Sequence, residues 1–532
     1  MTFVRLPREA RWVSSLEMSG RLRRHQHRFI SAGMLLLLAA CAAFVVPRDD
    51  VPLRAPDGYF PGQVWRTSLP ESQGLDSHAL ADLFDAVESQ RLAIHSLQIV
   101  RYGYLVVDAY FYPFAAGRRH DVASVTKSVT TTLIGQALEQ GAFPGLDAPV
   151  VPLLTSVAPD DPRKQRITLR HLLTTSSGLD CGHAPYEREM LEMTGTSHWI
   201  DYALALPMRE EPGQRFVYCS PGFHLLSALL TRQTGRSAGA FAGTHLFGPL
   251  GINDVVWPRD PDGFNQGAGD LQMHPPDMAR IGYLYLRQGE WAGQQVVPMR
   301  WVEQATQRQV STPSAQSYGY GWWISQDIPG LYQAVGRGGQ RIIVWPNKDI
   351  VVVTTGGGLD PGALAPYLLR ALKSNAELPP NPSGVARLRE RIAAAARPHA
   401  LAPAETSAPG RAAAVSGVEY QLDANPLGVR AIQLNLLDAA QAEAEIALRD
   451  GQLTVPVGLN GAFRFGADGR TGELIAGRGG WVAADEFLLE IDTIGRINFF
   501  SVRLRFQGET VRIRLTERSG LIATELTGQA VR

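Results

Sequence analysis

From residue 75 onward the apolar positions follow two different spacings. Leu97-Gln98-Ile99-Val100 and Leu105-Val106-Val107 are short β-branched runs on either side of Tyr102-Gly103, which predicts a hairpin. The same signal returns late, with Ile342 to Trp345 and Ile350 to Thr354 flanking Pro346-Asn347-Lys348. Between them the spacing lengthens to that of helices, as in Val129 to Gln140, which Gly141 closes. Strands at both ends with helices between predict an α/β domain whose sheet joins early and late chain segments. Beyond it the pattern changes. Ile446 and Leu448 face Leu453 and Val455 across Asp450-Gly451. Val502, Leu504 and Phe506 face Val511, Ile513 and Leu515 across Gln507-Gly508. Period-two alternation with tight turns predicts an all-β antiparallel sandwich or barrel.

The ends of these regions divide the chain. Arg21, Arg23, Arg24 and Arg28 precede an apolar run from Phe29 to Val46, which Pro47-Arg48-Asp49-Asp50 ends. A basic flank before such a run makes residues 1–50 an export signal or a single membrane anchor. Within it, Leu38-Ala39-Ala40-Cys41 resembles the bacterial lipoprotein cleavage box, and the resemblance makes Cys41 a candidate for lipid attachment. An uncleaved anchor is the other reading. Residues 51–70 read as a tether and 71–375 as the α/β domain. Residues 376–414, rich in Pro and Ala, read as a linker in which Arg387 to Arg397 can form one helix. Residues 415–532 form the β domain.

At 532 residues the chain is too long for one ordinary core, and 45% hydrophobic with 19% charged residues is a globular composition. Basic and acidic residues balance at 51 each, with no basic stripe, which excludes a protein that lives by binding phosphate backbones. The expected partners are a small-molecule or peptide substrate and, through the N-terminal anchor or lipid, a membrane. That places the folded part outside the cytoplasm, on the periplasmic side. Besides Cys41 only Cys181 and Cys219 remain, and in an oxidising compartment they either pair or stay separate thiols.

The chemistry concentrates at Ala123-Ser124-Val125-Thr126-Lys127-Ser128, which leads into the helical run. If Ser124 opens that helix, Lys127 lies on the same face one turn along. A serine hydroxyl is a weak nucleophile until a base takes its proton, and an amine can do so only when uncharged. A helix N-terminus favours the uncharged form, and arginine could not substitute because its guanidinium does not deprotonate. The chain has only four lysines, at 127, 164, 348 and 373, and none of the other three has a serine three positions before it. Two further motifs follow. Tyr218-Cys219-Ser220 comes after Pro212-Gly213, and Gly336-Arg337-Gly338-Gly339-Gln340 precedes a β-run. A hydrolase of this type needs a second proton-handling group and backbone N–H groups aimed at the developing oxyanion. Glycines beside a strand let the backbone approach a substrate closely.

Taken together the three motifs resemble the Ser-x-x-Lys, Tyr-x-Asn and Lys-Thr-Gly or His-x-Gly elements of class C β-lactamases, penicillin-binding proteins and related esterases. Similar stretches lie between them: Ile167 to Leu173 with Ser177-Gly178-Leu179, Leu246 to Ile252, Asp277 to Arg280, and Tyr318 to Trp323. The texture is nearest the branch of 6-aminohexanoate-dimer hydrolases and class-C-like esterases, and it covers roughly residues 71–375. The resemblance implies a β-lactamase/transpeptidase-like fold, an antiparallel sheet flanked by helices. It implies that Ser124 is acylated, that Lys127 assists and that Tyr218 acts as general base and acid. The oxyanion would sit between the N–H groups of Ser124 and Gln340. Ser220 stands where the family usually has asparagine, and Arg337 where lysine or histidine is usual, which puts β-lactam turnover in doubt more than acyl transfer in general. Asp180 and His183 are candidates to line the pocket. Trp322 and Trp323 are candidates for an apolar wall, with at most one facing it. No metal-ligand spacing, phosphate-cradling loop or dinucleotide fingerprint is present, so no cofactor is expected. The sequence therefore reads as a serine hydrolase of esters or amides. A D-amino-acid peptidase or penicillin-binding protein acting on cell-wall peptides, and a non-catalytic ligand-binding descendant, stand as alternatives.

Overall fold

A computed structural model describes residues 60–62, 64–155, 160–183, 187–398, 409–438 and 442–531. The proposed signal or anchor, and Cys41 with it, lie outside the described residues. Among the described residues no helix is long and apolar enough to cross a membrane.

The first hairpin forms where the alternation predicts it. Strands β1 (Ile94–Arg101) and β2 (Tyr104–Tyr110) are joined through Tyr102 at φ 52 and Gly103 at φ 85. Two successive positive φ values match the twist that a tight hairpin requires. Three short strands follow much later: β3 (Val310–Ser311), β4 (Gln316–Tyr318) and β5 (Trp323–Ser325). They lead into β6 (Tyr332–Gly336), β7 (Gln340–Trp345) and β8 (Ile350–Gly356). The sheet runs β2-β1-β8-β7-β6-β5-β4-β3, and β1 pairs antiparallel with β8, so early and late chain segments join in one sheet, one strand in from its β2 edge.

Both faces of that sheet are covered, and the alternation within β8 shows how. Ile350 and Val352 pack under helix α1 (Ser77–Ser89), together with Leu80, Leu83 and Phe84. Val351 and Val353 point the other way, into a larger core with helices α2 (Val125–Glu139), α3 (Ser220–Thr234) and α4 (Pro275–Leu286). Helix α2 is buried on nearly every side. Its polar residues bond backbone carbonyls of neighbouring loops, Ser128 to Gly321 at 2.6 Å and Thr130 to Gly267 at 2.8 Å.

Two boundaries differ from the expectation. The 376–414 segment is not linker throughout: its first half forms helix α5 (Pro382–Ala395), with Asn381 accepting from the Gly384 N–H at 3.0 Å. Helix α5 buries Val385 and Leu388, and Arg387 reaches Asp82 at 2.8 Å and Asp85 at 2.5 Å on α1. The helix expected over Arg387 to Arg397 begins five residues earlier and is docked, which composition does not show because the apolar face is narrow and its charges are matched on another helix. The tether is likewise docked at its end, where Trp65 is buried and its Nε1 donates to the Pro276 carbonyl at 3.2 Å.

The C-terminal domain resolves the sandwich-or-barrel alternative as a barrel. Its strands are β9 (Glu419–Leu422), β10 (Val429–Asn435), β11 (Glu443–Leu448), β12 (Gly451–Gly458), β13 (Arg464–Ala467), β14 (Leu474–Ala483), β15 (Glu486–Thr493), β16 (Phe499–Gln507), β17 (Thr510–Glu517) and β18 (Ala523–Ala530). They run β12-β11-β10-β9-β18-β17-β16-β15-β14-β13, and a parallel β12–β14 pairing closes the ring. Closure removes the exposed edges that an open sheet would leave. Val502, Leu504 and Phe506 lie opposite Leu515, Ile513 and Val511, the pairs that the alternation predicts. The two domains meet through Phe114 on one side and Phe463, Ile494 and Phe499 on the other.

Candidate active site

Ser124 stands immediately before α2, and the backbone is bent sharply to bring it there. Ala123 takes φ 47, an uncommon conformation for a residue with a Cβ, and its N–H donates to the Asp121 carboxylate at 2.8 Å. Among the described residues the Ser124 N–H has no protein acceptor, as expected of a free helix N-terminus.

Lys127 follows one turn into α2 and is the only charged residue between Asp121 and Glu139. Its side chain is 1% exposed. The amine lies 3.0 Å from Ser124 Oγ, 2.8 Å from Ser220 Oγ and 3.0 Å from the Ala268 carbonyl oxygen. Burial pulls its pKa down from 10.5 to about 8, against the opposing charges of Glu187 and Asp270. The Ser220 hydroxyl in turn donates to the Glu187 carboxylate. Ser220 thus joins lysine to carboxylate rather than offering its side chain to a substrate, which corrects its expected substrate-binding role.

Tyr218 and Ser220 flank Cys219, which is bonded to Cys181. The bridge links the second motif to a chain segment 38 residues earlier. By restricting the unfolded chain, a loop of this length contributes about 4 kcal/mol. A Cys181→Ser/Cys219→Ser variant is accordingly expected to unfold at lower denaturant, with a loss of roughly 2–4 kcal/mol; an unchanged midpoint contradicts a stabilising bridge. The Lys127 amine lies 4.7 Å from the centre of the Tyr218 ring. Trp323 stacks on Tyr218 at 6.1 Å, and Phe216 meets Trp323 edge-on.

The third motif arrives at the β6–β7 turn. A Cβ placed on Gly336 would lie 2.5 Å from the Val122 carbonyl and 3.1 Å from Ala123 Cβ, so the turn packs directly beside the residues preceding Ser124. Gln340 opens β7 as the register partner of Gly336. Its side chain is locked, with Nε2 donating to the Arg337 and Gly356 carbonyls at 2.9 and 2.6 Å and Oε1 accepting from the Gly356 N–H at 3.1 Å. Gly338 and Gly339 differ from their expected role. Both have positive φ, 77 and 98, but the space beside Gly338 is taken by Ile497 and that beside Gly339 by Leu359. The close approach they permit is to other parts of this chain.

Arg337 does reach the cleft, but it is also held by the C-terminal domain. Its guanidinium donates to Ser519 Oγ and lies 3.6 Å from the buried Glu517 carboxylate, both in the C-terminal barrel. Trp322 is no wall of the cleft: it is fully buried in the core against Tyr285 and Tyr332, and Trp323 is the tryptophan near the site. Asp180 does not line the cleft either. It sits 3.4 Å from His183 and 3.6 Å from Arg209, while His183 is also held by Glu189.

The cleft around Ser124 encloses about 500 Å³, part of it open to solvent. Met190 and Leu191 give it one apolar element, and Asp121, Glu187 and Asp270 give it carboxylates. Burial and the Asp121 charge push the Asp270 carboxyl up to about 6. Glu187 and Asp270 belong to no motif and no local periodicity, so nothing in the sequence singles them out. Arg337, Ile497 and Leu521 complete the lining, the last two from the barrel.

A family model described as Beta-lactamase matches residues 84–374, more than half of the chain. The chain is 25% identical over 289 residues to the 6-aminohexanoate-dimer hydrolase of Paenarthrobacter ureafaciens, spanning 49% of this chain and 72% of that enzyme. It is 29% identical over 157 residues to lovastatin esterase of Penicillium rubens, spanning 25% of this chain and 38% of the relative. A solved penicillin-binding protein from Bacillus halodurans is similar at 19% identity and TM-score 0.46, over 55% of this chain and 99% of that one.

Proposed function

Because the chain belongs to the β-lactamase family, we propose that it is a serine hydrolase that cleaves an ester or amide through an acyl-enzyme on Ser124. The observation that carries this reading is the set of partners around the Lys127 amine. An uncharged amine has two N–H donors and one lone pair. The Ala268 carbonyl has no hydrogen to give and takes one N–H. The Ser220 hydroxyl gives its hydrogen to Glu187, so its oxygen takes the other. The lone pair is left for Ser124, whose hydroxyl lies 3.0 Å away. That is the arrangement a general base requires.

In the first step Ser124 Oγ attacks the substrate carbonyl carbon as its proton passes to Lys127 Nζ. The carbonyl oxygen gains a negative charge, which the N–H groups of Ser124 and Gln340 stabilise. The tetrahedral species collapses, and the leaving oxygen or nitrogen takes a proton by way of Tyr218. Water then attacks the acyl-enzyme with the same base, giving an acid and free Ser124. A fluorophosphonate probe should label Ser124, because such probes react with activated serines. An unlabelled protein would favour the non-catalytic alternative.

The buried amine fixes the direction of the pH dependence. Only its uncharged form accepts the proton, so kcat/KM should rise with pH and reach half its plateau near pH 8. The Glu187 charge favours the ammonium form, so removing it lowers the lysine pKa. Glu187→Gln is expected to move the rising limb toward lower pH by about half a unit to one unit. Profiles of p-nitrophenyl acetate hydrolysis for the two proteins check this; a limb that stays put or moves upward contradicts the base role of Lys127.

An exported, membrane-tethered location is the companion proposal. It is supported by the basic-then-apolar order of residues 1–50 and by the Cys181–Cys219 bridge, which suits an oxidising compartment.

A further inference from the structure

Two turns of the barrel reach the cleft that holds Ser124. The turn at 494–498 joins β15 to β16, and the turn at 518–522 joins β17 to β18, so both lie at the same end of the barrel. The first is fixed against the catalytic domain. The Gly495 carbonyl accepts from the Asp121 N–H at 2.8 Å, and the buried Ile497 side chain fills the space beside Gly338. The second is fixed by Glu517. One oxygen of its carboxylate accepts from Ser519 Oγ at 2.7 Å and from the Leu521 N–H at 3.0 Å, and the other faces Arg337 at 3.6 Å. The half-buried Leu521 is thereby held at the cleft in a turn whose backbone is pinned.

The charges of the cleft are equally constrained. Arg337 is paired with Glu517, and Arg496 reaches both Glu473 and, at 3.5 Å, Asp121. A substrate carboxylate entering beside Ser124 meets Asp121, Glu187 and Asp270, with both guanidinium groups already engaged.

We propose that these two turns are a specificity element of the active site: Leu521, backed by Ile497, limits the length of acyl group that reaches Ser124, and Glu517 holds Arg337 in a pair that denies it to a substrate carboxylate. The substrates are therefore esters or amides of short, uncharged acyl groups. This inference rests on the reading that Ser124 is acylated. One methylene that a pocket fails to accommodate changes kcat/KM by about tenfold or more, so a single side chain at the wall is enough to set the preference.

The test uses the full chain and p-nitrophenyl esters of acetate, butyrate and octanoate. Leu521→Ala should raise the octanoate-to-acetate ratio of kcat/KM about tenfold. Leu521→Phe should lower the butyrate-to-acetate ratio, a shift in the opposite sense that mere destabilisation would not produce. Glu517→Gln should raise the ratio of the mono-p-nitrophenyl ester of adipic acid to the butyrate ester several-fold, because Arg337 is released. Wild-type ratios in all three variants, with fluorophosphonate labelling intact, would overturn the proposal and leave the acyl-enzyme reading standing. Undiminished acetate turnover by Ser124→Ala would instead remove the reading on which it rests.

Discussion

Replacing Lys127 by arginine should lower kcat/KM for an activated ester by about 10³–10⁴-fold, and raising the pH should not restore it. The substitution separates charge from basicity. Arginine keeps a cation at this position and can still donate hydrogen bonds, but it does not release its proton in the accessible pH range. If Lys127 acted only as a positive charge near the oxyanion, the variant would keep much of its activity. If it acts as the base, the loss corresponds to about 4–5.5 kcal/mol of transition-state stabilisation. Arginine is longer, and the Lys127 site is closed by Ser220, Ala268 and the rings of Tyr218 and Phe223. Lys127→Met is the companion variant: it fits an apolar chain of similar length, removes the amine and should lose activity to the same extent. Thermal unfolding and kinetics of both variants check the prediction. Activity within tenfold of wild type in Lys127→Arg would contradict it.

Ser124→Ala should be more damaging. If Ser124 is the nucleophile, its removal leaves only whatever rate the oxyanion donors and substrate binding supply, and comparable removals in serine hydrolases cost about 10⁶-fold in kcat. The substitution deletes one oxygen at a partly open site. Lys127 keeps two of its three oxygen partners, so stability should change by no more than about 1 kcal/mol. Stopped-flow and steady-state hydrolysis should show no burst and a loss of more than about 10⁴-fold.

The sequence already indicated much of this site because its parts are local. A lysine three residues after a serine at the start of a helix must share its face, and the 3.0 Å contact follows from that spacing. The barrel hairpins were equally readable, since the registers at Leu504↔Ile513 and Ile446↔Leu453 depend only on alternation and a short turn. What was hidden depends on distant pairings. Whether Cys181 meets Cys219 turns on how a loop and the start of α3 are brought together. That Arg337 is held by Ser519 and Glu517 turns on how a separate domain docks, and no spacing within one motif records it. Trp322 and Trp323 show the finer limit. Alternation correctly assigns them to opposite sides, but only the packed core decides that Trp322 goes inward and that Trp323 backs Tyr218. The docking of helix α5 was obscured for a related reason, because Arg387 finds its carboxylates some 300 positions away on α1.

The most direct measurement is the mass of the protein itself, taken after rapid acid quenching of its reaction with p-nitrophenyl acetate and followed by peptide mapping. The expected product is a species heavier by one acetyl group, confined to the peptide carrying Ser124 and absent from Ser124→Ala. Turnover without any such species, or an acetyl group mapped to another residue, would contradict it.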